Sequence, residues 1–150
     1  MKKLVLIAGA PSHGPGAHEH RAGSLLLQRC LLGVPDLEVQ VHTGGWVADE
    51  ADLEGVDAIA IYADGGNGRP ILVDDRLETL GRLVARGVGI ALMHWAVELP
   101  SGRGADLIDA WIGGHYEHMF SCNPIWSPRF DSLPEHPITR GVQPFEIKDE

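Results

Sequence analysis

Gly87-Val-Gly-Ile-Ala-Leu-Met-His-Trp-Ala-Val-Glu98 is the stretch whose reading decides the fold. Val88 to Met93 is a short, continuous apolar run of the kind buried in parallel sheets, and it ends abruptly in an imidazole, an indole and a carboxyl group. In open α/β sheets, ligands bind beyond the carboxyl ends of the strands, so a polar tip on such a strand points to a crevice. A histidine satisfied by backbone partners at a strand end is the plainer alternative.

Outward from this run the same pattern recurs. Apolar strand-like segments at Leu4 to Ala8, Leu37 to Val41 and Val56 to Tyr62 alternate with stretches of helical periodicity, as βαβ units require. The first helix is expected over Glu19 to Leu32, with Ala22, Leu25, Leu26 and Cys30 on its buried stripe. The second follows Asp74 and Asp75, acids suited to a helix N-terminus, and buries Leu77, Leu80, Leu83 and Val84 before Gly87. The third runs from about Gly104 to Ile112 with Leu107, Ile108, Trp111 and Ile112 on one face, and Gly113-Gly114 ends it. The fold class is therefore α/β: a doubly wound, mainly parallel, flavodoxin-like sheet. After Ser121 the chain turns irregular and rich in proline (Pro124, Pro128, Pro134, Pro137, Pro144). Phe145 to Glu150 could open another strand, so one domain, incomplete at its C-terminal end, is the expectation.

With 150 residues, 44% of them hydrophobic, the chain can bury one core. A net charge of −9 argues against nucleic acid and anionic membrane surfaces, both of which reward clustered Lys and Arg. Cys30 and Cys122 are too few and too far apart for a disulfide framework, so a reducing cytoplasm is the default compartment. Met1-Lys-Lys-Leu-Val-Leu-Ile-Ala-Gly-Ala10 imitates a signal peptide, but its apolar part is at the short limit and reads better as the first strand, which leaves export as the lesser expectation.

Three loops gather at the predicted carboxyl edge. Ala10 to His20 carries His13, His18 and His20; Ala63-Asp-Gly-Gly-Asn-Gly-Arg69 is glycine-rich with one acid and one base; His94 to Glu98 is the third. A fourth segment, His115-Tyr-Glu-His118, adds two histidines. Neutral imidazole is the commonest ligand for zinc-like ions, so a divalent transition metal such as zinc is a candidate cofactor, with His20, His115 and His118 as its ligands. Imidazoles that touch substrate or solvent are the alternative. His94 and Glu98 are the candidate catalytic acid/base groups. His18, Asp64, Gly65, Trp95 and Trp126 are candidate substrate contacts, the two indoles as cleft walls against sugar faces. Gly65-Gly-Asn-Gly68 lacks the Lys-Ser/Thr ending of a phosphate loop and suits close approach to a neutral ligand.

In this order the motifs resemble the ThuA-like (trehalose utilisation) family, which has the class I glutamine amidotransferase-like fold. The resemblance rests on Leu4-Val-Leu-Ile-Ala-Gly9, Ser12-His-Gly-Pro-Gly16, His18-Glu-His20, Tyr62-Ala-Asp-Gly-Gly66, His94-Trp-Ala-Val-Glu98, Trp111-Ile-Gly-Gly114 and His136-Pro-Ile-Thr-Arg-Gly141, and so covers nearly the whole chain. It implies carbohydrate metabolism, with trehalose, related disaccharides or their 3-keto derivatives as substrates and His20, His94 and Glu98 as site positions. The family's usual domain runs beyond the equivalent of Glu150. True amidotransferases place a cysteine on the strand-to-helix elbow where this chain has His94, and no glycine between Leu92 and Ala96 relieves a tight turn, so glutaminase activity is not expected.

The leading expectation is a cytoplasmic enzyme acting on a sugar or keto-disaccharide by hydrolysis or by lyase- or isomerase-type acid/base chemistry, with or without metal assistance, in which His94 is the central acid/base group or a metal ligand and His18 or His20 holds either metal or sugar hydroxyls. A non-catalytic sugar-binding scaffold that has lost the amidotransferase nucleophile is the alternative. A subunit of a larger assembly, including a homo-oligomer, is a third.

Overall fold

The computed structural model describes residues 1–65, 70–102 and 104–149. These form two compact units, Met1–His118 and Met119–Glu150.

The first unit is built on four parallel strands, β1 (Lys2–Ala8), β2 (Leu37–His42), β3 (Ala58–Tyr62) and β4 (Gly89–Met93), in the order β2-β1-β3-β4. This α/β layout has the doubly wound, flavodoxin-like strand order, whose switch point lies between β1 and β3. Strand residues alternate between the two faces, so Val5, Ile7, Ile59 and Ile61 share one side. They join Leu80 and Leu83 of α2 (Arg76–Ala85) and Ile108 of α3 (Ala105–Ile112) in the main core. The boundaries read from the sequence shift by no more than two residues at each strand end.

The helices differ more. Helix α1 (His20–Leu31) does not bury the stripe of Ala22, Leu25, Leu26 and Cys30; all four are exposed, Leu26 to 61%. Its buried residues are His20 and Ser24. The physical reason is close approach. A Cβ on Gly23 would lie 2.4 Å from Cε1 of Tyr62, a spacing that only glycine allows. Gln28, half-buried, donates its side-chain amide to the Val39 carbonyl at 2.8 Å, tying the same face of the helix to β2. Small and polar residues therefore occupy the helix's inner face, and hydrophobicity alone mispredicts its rotation. In α2, Leu77 and Val84 are half-buried while Thr79 is buried with Leu80 and Leu83. In α3, Leu107 is exposed while Ile108 is fully buried.

At the amino edge of the sheet, Asp57 ties three strands together. Its carboxylate accepts from Lys2 Nζ at 2.7 Å and from the Lys3 backbone N–H at 2.8 Å, while its own carbonyl accepts from Gly89 N at 3.0 Å. The Lys2 ammonium and the Lys3 amide hold its carboxyl below the usual aspartate value.

The second unit contains a two-stranded antiparallel ribbon, β5 (Arg129–Phe130) with β6 (Phe145–Glu146), on which Phe130 and Phe145 stack at 4.6 Å. The segment from Phe145 thus does open a strand. Trp126 pairs through its backbone with Asp149, and its side chain is exposed.

Two outcomes follow from these contacts. The lowered Asp57 carboxyl stabilises the fold above the ordinary value of 3.8, and this contribution is lost as pH falls through the lowered folded value. Asp57→Asn should therefore flatten the acid limb of a stability profile measured by denaturant melts from about pH 5 to about pH 2; an unchanged acid limb would count against the Asp57 tie. Gly23→Ala should lower stability by about 1–3 kcal/mol through overpacking against Tyr62. Gly81→Ala meets Trp111 at an ordinary 3.5 Å and should be neutral or stabilising by roughly 0.5–1 kcal/mol. Equal thermal shifts in the two variants would show that the Gly23 contact is not tight.

Candidate metal and sugar site

The parallel register builds the site. Ala8 pairs with Tyr62 and Tyr62 with Met93, so β1, β3 and β4 end in one line. The next residues emerge together: Gly9 from β1, Ala63 and Asp64 from β3, His94 from β4. Gly9 N donates to the Tyr62 carbonyl at 2.8 Å, extending the ladder by one rung.

Asp64, half-buried just past β3, is the centre of the arrangement. His18 Nδ1 lies 2.5 Å from its Oδ1, His20 Nε2 3.4 Å, His94 Nδ1 3.9 Å, and His13 Nδ1 lies 3.6 Å from Oδ2. Burial alone would raise the Asp64 carboxyl. Hydrogen bonds from Ser12 and His18 and the charges of His20 and His18 outweigh it and hold the carboxyl below its usual value, so Asp64 stays an anion.

Each histidine reaches Asp64 by a different route. His20 opens α1, is 2% exposed, and its Nδ1 lies 3.0 Å from where a Cβ on Gly9 would stand, so Gly9 makes room for its ring. His18 and His94 both adopt left-handed backbone, with φ of 52° and 61°. Such conformations cost non-glycine residues on the order of 1–3 kcal/mol and persist where the surroundings over-determine them, commonly at functional sites. At His94 the strain marks a sharp turn from β4 into the short 3₁₀ helix His94–Val97. The chain therefore does form the elbow that the lack of glycine between Leu92 and Ala96 argued against, with a histidine at its apex. Tyr62 packs its ring edge-on against both His20, at 5.1 Å, and His94, at 5.8 Å.

One donor atom from each of His18, His20, Asp64 and His94 lies within 4.8 Å of the others. Both ring nitrogens of His20 and Asp64 Oδ2 are buried without a hydrogen-bond partner. Unpaired buried polar atoms are costly and rare, and three imidazoles with a carboxylate are a donor set suited to zinc, iron, nickel or copper. The residues fit such an ion.

Glu98, half-buried, ends the short helix that His94 begins; a Cβ on Gly65 would lie 1.9 Å from Glu98 Oε2. Gly65 therefore leaves room for the Glu98 side chain. Residues 66–69, the rest of that glycine-rich loop, lie outside the described residues. Trp95 packs edge-to-face on Tyr116 at 4.9 Å, and its ring centroid lies 6.4 Å from that of His94. The segment around His115 bridges to the residues after the elbow: Tyr116 N donates to Val97 O at 2.8 Å and Leu99 N donates to Tyr116 O at 3.0 Å. His115 itself is not in the donor cluster. Its Nδ1 is 2.7 Å from Asp109, whose carboxylate holds the imidazole above its usual value, and its Nε2 is 3.7 Å from Glu117. His118 is exposed and also outside the cluster. Of the expected ligands His20, His115 and His118, only His20 lies in the donor cluster, beside His18, Asp64 and His94. Trp126 lies in the second unit.

Sequence reasoning missed Tyr62 and His13 as site residues and saw Asp64 only as a substrate contact. The signal for Asp64 was its place two residues beyond β3, one step past the level of His94 beyond β4.

No family model and no curated protein matches the sequence. Among solved structures, a protein from Bacteroides uniformis described as ThuA-like matches with a TM-score of 0.63 at 16% identity, over 99% of this chain. This chain spans 58% of the length of that one. The chain has the fold of that ThuA-like structure, as its motifs led one to expect.

Proposed function

We propose that this chain is a carbohydrate-metabolism enzyme in which His18, His20, Asp64 and His94 hold a divalent transition metal, zinc foremost, while Glu98 exchanges protons with a sugar or keto-sugar. The observation that carries the reading is the convergence of these four donors, with the His20 nitrogens and Asp64 Oδ2 buried without a hydrogen bond. When bound, such an ion supplies Lewis acidity and an activated water at neutral pH. Asp64, held anionic, offsets the positive charge, and the elbow fixes the His94 ring over the sheet edge. Glu98 reaches the same edge through the gap that Gly65 leaves, which suits a group that gives and takes protons beside the reacting atoms. Trp95, adjoining His94, offers an apolar face of the kind sugars stack on.

The carbohydrate class rests on the ThuA-like motifs and on the likeness to the Bacteroides uniformis protein, and trehalose-related substrates enter on the same ground. Glutaminase chemistry does not fit: it needs a thiolate at the elbow, where His94 stands, and both cysteines are exposed elsewhere.

The test is elemental analysis of protein purified without a histidine tag, followed by turnover of sugars and keto-disaccharides with and without chelator. About one zinc-class ion per chain and chelator-sensitive turnover are expected. His94→Asn is the variant of choice, because asparagine tolerates the left-handed backbone; it should lower turnover by at least about 100-fold with the fold retained. A folded protein that takes up no metal would overturn the ligand set. Bound metal with no turnover of any sugar would favour a binding scaffold.

A further inference from the structure

His115 is mostly buried, its side chain 15% exposed, and it engages two carboxylates without joining the donor cluster. Its place in the chain explains how it reaches them. Helix α3 ends at Gly113, whose φ of 92° lies in the left-handed region and whose N–H donates to the Asp109 carbonyl at 2.9 Å. The backbone reverses there, so His115, six residues past Asp109, comes back with Nδ1 2.7 Å from the Asp109 carboxylate. Its Nε2 is buried, 3.7 Å from Glu117, and the Ser101 hydroxyl donates to Glu117 in turn. Among the described residues Asp109 and Glu117 are the charged groups facing the ring. They hold the imidazole above its usual value, which favours the cation attracted to both.

Between these anchors stands Tyr116. Its N–H donates to Val97 O at 2.8 Å and its carbonyl accepts from Leu99 N at 3.0 Å, so one rung of parallel bridge grips the chain on both sides of Glu98. Its ring packs on Trp95, the neighbour of His94. Residues 115–117 thus form a strap across the end of the elbow, fixed to α3 by His115 and to the loop after Glu98 by Glu117. Two isolated backbone hydrogen bonds contribute little net stability, so the strap's geometry depends on the side chains that flank it.

We propose that His115 is a positioning residue for Glu98: by joining Asp109 to Glu117 it holds the Tyr116 peptide against Val97 and Leu99, and so keeps the Glu98 carboxylate at the sheet edge. His115 touches no reacting atom and acts through Tyr116 and Glu98. The proposal deepens the sugar-enzyme reading and rests on it for the proton-exchanging role of Glu98. A proton donor or acceptor must lie within hydrogen-bond reach of its target, and a displacement of about 1 Å can cost on the order of 100-fold. A loosened strap therefore lowers turnover while leaving the donor cluster intact.

The test has two arms, both on untagged protein as purified. The first is amide hydrogen exchange, read by NMR at Leu99 and Tyr116 and, for comparison, at Ile59 and Ile61 of β3. In His115→Ala the first two amides should exchange about ten-fold faster or more, while the β3 amides keep their rates. Asp109→Ala, a change at an exposed helix position, should give the same local acceleration. His115→Asn, whose side-chain N–H can replace Nδ1 toward Asp109, should restore part of the protection. The second arm is kinetic. His115→Ala should lower kcat by about 10–100-fold and leave KM and metal content near those of the wild type. In a Glu98→Gln background the same change should cost nothing further, because a residue that acts only through Glu98 then has nothing left to position.

Unchanged exchange at Leu99 and Tyr116 in both alanine variants would overturn the proposal. Equal acceleration in β3 would do so too, since it would make His115 a residue that merely stabilises the fold. Losses from His115→Ala and Glu98→Gln that add in the double variant would separate His115 from Glu98 and overturn it as well. Local acceleration in a protein whose wild type turns over no sugar would uphold the hold of His115 on Glu98 and remove the sugar-enzyme reading above.

Discussion

The register of three parallel strands is the constraint on which the rest depends. Because Ala8, Tyr62 and Met93 stand opposite one another, the chain leaves the sheet at one level in three places. A one-residue slip of β3 would turn Asp64 to the other face and dissolve the cluster, since side chains in a strand alternate with a period of two. The register is held by burial: Val5, Ile7, Ile59 and Ile61 are at most 1% exposed, and only one alignment puts them all in the core. Asp57 fixes the opposite edge of the same strands. The chemistry at the carboxyl edge is thus located by apolar packing several residues away.

Charge at this edge is organised around a carboxylate rather than around a histidine. Four imidazoles within 4 Å of Asp64 would repel one another if all were protonated, and the anion lets them coexist at close range. His18 and His94 accept left-handed backbone to reach it. Two strained residues facing one carboxylate indicate that the surrounding strands and helix over-determine the geometry, which is the condition under which strain is retained.

The strands were legible because each is a short apolar run closed by a loop, and His94 was legible as a candidate because it breaks such a run. The rotation of α1 was not. Its leucines outnumber its small residues, yet Gly23 and Ser24 face the sheet because Tyr62 needs the space, a condition set by a residue 39 positions away in a strand the helix does not directly precede. The donor cluster was half legible. His20 was expected to share a site with His115 and His118 on the strength of residue type, but Asp109 and Glu117 engage His115 locally, whereas the loop through His18 doubles back to Asp64. The elbow at His94 was misjudged for a related reason: glycine is the easiest residue at positive φ, and surrounding structure can impose that backbone on another.

The inverted helix face and the site share one cause. Turning Leu25 and Leu26 to solvent forgoes apolar burial worth roughly 1.5–3 kcal/mol for each side chain that could have been fully buried. In return the helix begins with His20 beneath the sheet edge and brings Gly23 close enough for Tyr62 to sit between α1 and the His20 and His94 rings. A helix chosen for stability alone would rotate its leucines inward, and that rotation would carry His20 away from Asp64. The polar inner face of α1 is therefore evidence about function in its own right: the sequence accepts a weaker helix-to-sheet contact to keep one imidazole in place.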